Sequence, residues 1–126
     1  MSARVVSIVL GLVFIGVGIL GFLGFVQNIV SAEGIFKVDF EHNLVHLATG
    51  VLLIVLPYIM GGKQTLLLVG VIYAAIATLG FLHPDDPMLI AGHIAVNQAD
   101  RFLHVALAAI LLLAGLVFSN PHRHDA

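Results

Sequence analysis

Charged residues and cysteines are scarce in this sequence. Asp, Glu, Lys and Arg make up only 10% of its 126 residues, the formal net charge is -2, and there is no cysteine. The lack of cysteine excludes a disulfide framework and thiolate chemistry, and the small net charge with scattered basic residues excludes a nucleic-acid partner. Hydrophobic residues make up 60% of the chain, against about 45–50% in soluble domains. The composition therefore predicts an integral membrane protein whose main partner is the lipid bilayer.

Four apolar runs are long enough to cross a bilayer, which takes about 20 helical residues for about 30 Å of hydrocarbon. They cover residues 5–26, 43–60, 64–82 and 102–118. The first run exceeds the apolar core of about 7–15 residues that signal peptides have, so we count it as a span. The sequence predicts an all-α fold, a single transmembrane domain over residues 1–126.

Loop charges predict the orientation of these spans. With a cytoplasmic N-terminus, three basic residues lie inside and two outside, namely Arg4, Lys63 and Arg123 against Lys37 and Arg101. This is a weak excess on the cytoplasmic side. The acids agree with it, since Asp125 is the only one that would lie inside. We expect a multi-pass protein of the inner (plasma) membrane with both termini in the cytoplasm.

Glycines form a dense stripe in the first run, at Gly11, Gly18, Gly21 and Gly24. Small residues let helix backbones approach closely in lipid, where helix association depends on van der Waals fit. We expect this stripe to pack against another helix. That helix belongs either to the same chain or, through the glycine-rich first helix, to a homo-oligomer or another membrane protein.

Histidine motifs open the second and fourth runs. In "FEHNLVHLATG" His42 and His46 are one helical turn apart, and in "ADRFLH" Asp100 and His104 have the same spacing. Residues at i and i+4 share one face of a helix. Aligning "DFEHNLVHLATG" with "NQADRFLHVALA" places His46 on His104. This alignment predicts a tandem repeat of two-helix units whose polar stripes face each other.

Four spans with "HNLVHLATG" opening the second and "ADRFLH" opening the fourth resemble a bacterial family of small four-helix membrane proteins catalogued only as a domain of unknown function. The recurring positions of that family correspond here to His42, Asn43, His46, Gly50, Asp100 and His104. The resemblance implies the four-helix architecture and no established activity.

A structural role is the first interpretation of the histidines. Polar side chains at membrane depth are costly, so they face the bundle interior and pair with one another. An outer-side cluster between the second and fourth helices would then be a polar core or interaction site that fixes helix register. His83 and His93, in the outer loop, are weaker candidates, either of which would close over the cluster as an additional ligand.

Ligand binding is the alternative interpretation. His42, His46, Asp100 and His104 would supply ligands for zinc or copper, with Asp39 and Asn97 as orienting groups. His46 and His104 would otherwise be the axial ligands of a haem, with room for the macrocycle beside Gly50 and Ala108. A quinone or another lipid-like ligand is a further alternative.

Enzyme motifs are missing. The sequence has no nucleophile elbow, no glycine loop that cradles a phosphate and no dinucleotide fingerprint. A transport path is poorly supported too, because the inner half of the spans offers few polar residues beyond Ser7, Thr65 and Tyr73. We therefore predict no catalytic residue.

Overall fold

Helices dominate the part of the chain that the structure describes. The computed structural model describes residues 1–23, 30–31, 36–37, 40–83, 88–89, 94–95 and 98–120. Its helices are α1 (Ala3–Leu23), α2 (Phe40–Val55), α3 (Pro57–Met60), α4 (Gly62–Leu82) and α5 (Gln98–Val117). Two-residue strands pair in the connections, β1 (Val30–Ser31) parallel to β2 (Phe36–Lys37) and β3 (Met88–Leu89) antiparallel to β4 (Ile94–Ala95).

Within the described residues, four helical segments are long and apolar enough to cross a membrane. They are Ala3–Leu23, Phe40–Met60, Gly62–Leu82 and Gln98–Val117, with mean hydropathies between 1.9 and 2.7. Large apolar side chains such as Leu12, Val71 and Leu113 lie exposed on the outside of the bundle. A continuous apolar surface suits lipid and not water. The prediction of an all-α, four-helix membrane fold is confirmed.

The second and fourth spans begin earlier than the apolar runs that predicted them. α2 starts at Phe40 instead of residue 43, and α5 starts at Gln98 instead of residue 102. The first turns of these helices carry polar side chains that the bundle buries, among them His42 and Asp100. Hydropathy detects where a helix becomes apolar, so it misses a first turn whose polar groups face inward. The end predicted for the first span, residues 24–26, lies outside the described residues.

Pro57 divides the second span into α2 and α3. Proline has no N–H, so the carbonyl of Leu53, four residues earlier, loses its usual helical donor. The hydroxyl of Ser7 in α1 donates to that carbonyl at 2.5 Å, and Ser7 is fully buried. Since backbone groups in hydrocarbon must be satisfied within the protein, a side chain of one helix completes the backbone of its neighbour.

The bundle is built from two closely packed helix pairs, α1 with α2 and α4 with α5. In the first pair, a Cβ added to Gly11 would meet the carbonyl oxygen of Gly50 at 2.7 Å. In the second, Gly70 lies against Leu112 and Gly115 against Leu67. The two pairs follow each other along the chain, which is the order that a tandem repeat requires. The repeat itself stays a prediction.

The described start and end of the chain meet at one end of the bundle, here called the terminal end. The N–H of Ala3 donates to the carbonyl of Ser119 at 3.0 Å. A Cβ on Gly62, at the start of α4, would collide with the backbone of Ala3 and Arg4. The starts of α2 and α5, with their histidine motifs, lie at the opposite end.

Candidate functional site

Three imidazoles lie buried inside the bundle and form what we call the histidine cluster: His42 and His46 of α2 and His104 of α5. Their exposed fractions are 2%, 4% and 4%. The ring centroids of His42 and His46 are 4.6 Å apart, and those of His42 and His104 are 5.9 Å apart. His42 therefore contacts both other rings and links α2 to α5.

The cluster reaches well below the ends of the helices. His46 lies six residues after Phe40, the first residue of α2, and His104 six residues after Gln98, the first residue of α5. At 1.5 Å per residue both imidazoles are about 9 Å along their helices. This matching position along the two helices agrees with the alignment of the two motifs.

Tyr73 of α4 extends the polar cluster toward the middle of the bundle. The Thr49 hydroxyl donates its only proton to the carbonyl of Val45 at 2.8 Å. The Tyr73 hydroxyl is therefore the donor in the 3.0 Å bond between the Thr49 and Tyr73 side chains. The Tyr73 ring also lies edge-on to His104, with centroids 6.0 Å apart. Sequence reasoning missed this role for Tyr73, although a tyrosine hydroxyl in mid-span needs a partner.

The first span contributes an aromatic wall. The Phe14 ring of α1 packs edge-on against His46 at 6.1 Å and against Tyr73 at 5.4 Å between centroids. Every span thus supplies a residue at or beside the cluster. Both helix pairs therefore contribute to the polar interior, whereas the sequence predicted a site between the second and fourth helices alone.

Buried charged residues lie in the first turns of α5. Asp100 and Arg101 are 1% and 4% exposed. The Arg101 guanidinium donates to the backbone carbonyl of His83 at 3.4 Å, and its aliphatic part lies against Gly80, which leaves room for it. Arg101, which the sequence predicted to lie in the outer loop, therefore belongs to the helix bundle.

Two ring nitrogens of the cluster are unsatisfied. The Nδ1 atoms of His46 and His104 are buried and have no hydrogen-bond partner among the described residues. Leaving a buried polar atom unsatisfied costs about 1–3 kcal/mol. These atoms are therefore the positions in the cluster that gain most from an additional polar contact.

The haem interpretation does not fit this packing. A Cβ on Gly50 would meet Ile15 at 2.5 Å and the carbonyl oxygen of Gly11 at 2.6 Å. The room that the sequence assigned to a macrocycle edge at Gly50 is therefore filled by α1, and that part of the prediction is wrong. His42 moreover contacts both proposed axial ligands.

Metal binding has no preformed ligand set in the described part of the chain. No group of three or more His, Cys, Asp or Glu side chains there is placed to hold a metal ion. His83 is exposed and does not join the cluster. The predicted orienting residues Asp39 and Asn97, and the loop residue His93, lie outside the described residues.

The family model described as "Domain of unknown function (DUF4383)" matches residues 4–117. No curated protein and no solved structure matches the chain. The matched residues run from the first turn of α1 to the last residue of α5. The likeness therefore extends over the whole helix bundle and is not limited to one motif.

Proposed function

The chain belongs to the DUF4383 family, and we propose that it is a multi-pass protein of the plasma membrane whose histidine cluster, with Thr49 and Tyr73, is a structural polar core. In this proposal both termini are cytoplasmic and the cluster is nearer the outer face. The core holds the α1–α2 pair against the α4–α5 pair and fixes which helix faces meet.

The observation that carries this proposal is the hydrogen bond from Tyr73 to Thr49, which joins α4 to α2. Apolar contacts between helices gain little hydrophobic free energy in a bilayer, because lipid tails are equally apolar. Polar contacts discriminate better, since a wrong arrangement leaves buried donors without acceptors. The ring contact between His42 and His104 adds a second link between the pairs.

A double-mutant cycle on this bond tests the proposal. Thr49→Val leaves the Tyr73 hydroxyl without its acceptor, so we expect the free energy of unfolding to fall by about 1–3 kcal/mol. Tyr73→Phe leaves the Thr49 hydroxyl bonded to Val45, so its cost is smaller, about 0.6 kcal/mol. Thr49→Val in the Tyr73→Phe background should then cost less than it does alone. Unfolding in mild detergent, followed by circular dichroism, measures all four proteins.

Thr78→Val is the matched control, because Thr78 of α4 makes the same hydroxyl bond one turn back, to Ala74, at an exposed position. We expect it to change stability little. Equal costs of Thr49→Val in both backgrounds would show that the two side chains act independently, and the polar core would be rejected.

Zinc or copper binding is the second candidate function, and it draws on the ring contacts that bring three imidazoles together. Neutral imidazole suits both metals. Binding would require the rings to turn, since their present placement does not form a ligand set. Stoichiometric metal in the purified protein, lost in His46→Ala and His104→Ala but kept in His83→Ala, would establish this function.

A further inference from the structure

We propose that Arg4 and Tyr58, which form a pair at the terminal end, bind the phosphate group of an anionic phospholipid from the surrounding bilayer. The pair joins α1 to α3 and lies at the end of the bundle opposite the histidine cluster. The proposal therefore goes beyond the structural role of that cluster. It holds for either orientation of the bundle in the membrane.

Arg4 is held by an aromatic ring and not by an acid. Its guanidinium carbon lies 4.8 Å from the centroid of the Tyr58 ring, within the roughly 6 Å over which the face of an aromatic ring attracts a cation. This contact positions the planar guanidinium without neutralising its charge. The Tyr58 ring is 64% exposed, so the pair lies at the surface of the bundle.

The positive charge of Arg4 has no acidic neighbour in the part of the chain that the structure describes. The described acids are Glu41 and Asp100, and they lie in the first turns of α2 and α5, at the opposite end. The other described basic side chain at the terminal end is that of Lys63, whose ammonium already donates to the carbonyl of Gly115. Of these two cations, Arg4 is therefore the one available to an external anion.

The two terminal nitrogens of the Arg4 guanidinium are the atoms that would contact the phosphate. The Nε atom is buried and takes no part in the proposed contact. The Nη1 and Nη2 atoms are not buried, and they donate to none of the described residues. A guanidinium presents its N–H groups as a planar fork that matches two oxygens of a phosphate. The accessible donors thus suit a phosphate group.

Apolar side chains below the pair offer a surface to the acyl chain of the same lipid. Leu12 follows Arg4 by two steps of four residues on one side of α1, about 12 Å deeper at 1.5 Å per residue. Val51 and Val55 precede Tyr58 on one face of the second span. Their exposed fractions are 58% for Leu12, 51% for Val51 and 46% for Val55. A phospholipid would contact both the pair and this apolar surface, whereas a free phosphate would contact the pair alone.

The charge of the headgroup selects the class of phospholipid. In phosphatidylcholine a positively charged ammonium group accompanies the phosphate, whereas phosphatidylglycerol carries the phosphate charge without a cation. Basic residues near a membrane surface are attracted to anionic lipids. A guanidinium without a described carboxylate partner therefore favours phosphatidylglycerol.

The test is native mass spectrometry of the full chain in detergent, titrated with dioleoyl phosphatidylglycerol or with dioleoyl phosphatidylcholine. We expect one phosphatidylglycerol to be retained with a higher affinity than phosphatidylcholine. Arg4→Gln removes the charge and should weaken phosphatidylglycerol binding about tenfold, which corresponds to about 1.4 kcal/mol. Tyr58→Leu keeps the charge but no longer holds the guanidinium, so it should weaken binding about threefold.

Lys63→Gln is the matched control, because it removes one positive charge from the same end at a side chain that already bonds within the bundle. It should bind phosphatidylglycerol like the unmodified chain. Equal weakening by Lys63→Gln and Arg4→Gln would show that overall charge attracts the lipid, and it would overturn the proposal. Equal affinity of the unmodified chain for the two lipids would overturn it as well.

Glycerophosphoglycerol, the soluble headgroup without acyl chains, separates a lipid site from a site for free phosphate esters. At the same concentration as the lipid it should not displace phosphatidylglycerol, and displacement would overturn the assignment to a lipid. Unfolding temperatures of all variants are measured in the same detergent. Arg4→Lys, which keeps the charge but loses the fork, replaces Arg4→Gln if that variant does not fold, and weaker binding is expected of it too. Weaker phosphatidylglycerol binding in a variant that unfolds like the unmodified chain is the supporting result.

Discussion

The buried serine and threonine hydroxyls of the described bundle, those of Ser7, Thr49 and Thr65, bond to backbone carbonyls. The contribution of each bond depends on whether that carbonyl has another donor. The carbonyl of Gly61 accepts from both the hydroxyl and the backbone N–H of Thr65. The carbonyl of Leu53 lacks the helical donor at position 57, because Pro57 has no N–H, and it accepts instead from the Ser7 hydroxyl. Ser7 therefore contributes a bond that the backbone cannot replace.

We predict that Ser7→Ala lowers the free energy of unfolding by about 1–2 kcal/mol, because it leaves a carbonyl unsatisfied inside the bilayer. Pro57→Ala should remove this cost, since residue 57 then has an N–H for the carbonyl of Leu53. Denaturant unfolding in detergent compares Ser7→Ala in the two backgrounds. Thr65→Val is the control, because Gly61 keeps its backbone donor. An equal cost of Ser7→Ala with and without Pro57 would contradict this explanation.

The histidine stripes were predictable at the level of single residues, but their partners were not. The spacing of His42 and His46 places them on one face of α2, and both are buried. The contacts of Tyr73 and Ser7 depend on how α4 and α1 are rotated toward α2. Local spacing within one helix holds no information on that rotation. The sequence therefore indicated the polar residues but not the hydrogen bonds that they make.

At the scale of helices, glycines bring α1 and α2 together within the chain. A Cβ on Gly18 would meet Leu47 at 2.8 Å, and one on Gly21 would collide with the side-chain amide of Asn43. Among the described residues, Gly16 has nothing within 4 Å of such a Cβ. The packing expected of the first span is therefore found inside the chain. An oligomer through α1 stays a prediction, and of these three glycines only Gly16 remains open for it.

We predict that Gly11→Ala and Gly50→Ala each lower the unfolding temperature markedly, with a cost of about 1–3 kcal/mol from overpacking. Both backbones would have to separate, because each added methyl meets a carbonyl of the other helix. Gly16→Ala is the matched control. It should be neutral or stabilising by up to about 1 kcal/mol, since alanine favours the helix. Thermal unfolding in detergent gives the comparison, and a destabilising Gly16→Ala with a neutral Gly50→Ala would contradict the packing.

The presence of the helices was predictable, because about 20 consecutive apolar residues in a bilayer can satisfy their backbone hydrogen bonds within one segment only as a helix. The helix boundaries were less predictable, since the polar first turns of α2 and α5 are buried against other helices. The break at Pro57 divides a span that hydropathy counts as continuous, Phe40–Met60. Composition thus determines the spans, whereas tertiary contacts determine where α2 and α5 begin, and Pro57 determines where the second span breaks.

At the scale of the whole molecule, the terminal end is held by reciprocal caps between α4 and α5. The Nζ atom of Lys63 donates to the carbonyl of Gly115 at 2.5 Å, in the last turn of α5. The Asn120 side chain accepts from the N–H of Lys63 at 2.8 Å, in the first turn of α4. Each contact satisfies a backbone group that a helix end leaves without an intrahelical partner. The start of α4 and the end of α5 therefore lie together at the terminal end of the bundle.

The orientation of the bundle in the membrane stays a prediction, and its basis is the loop charge, with Arg4, Lys63 and Arg123 expected inside and Lys37 and Arg101 outside. An excess of basic residues marks the cytoplasmic side. The chain has no cysteine, so Gln64→Cys and His83→Cys, both at exposed positions at opposite ends of α4, report one side each. An impermeant maleimide applied to intact cells should label His83→Cys alone, and permeabilised cells should show both labelled. Because the terminal end holds the start of α1, the start of α4 and the end of α5 together, labelling of Gln64→Cys alone would reverse the orientation of the entire bundle.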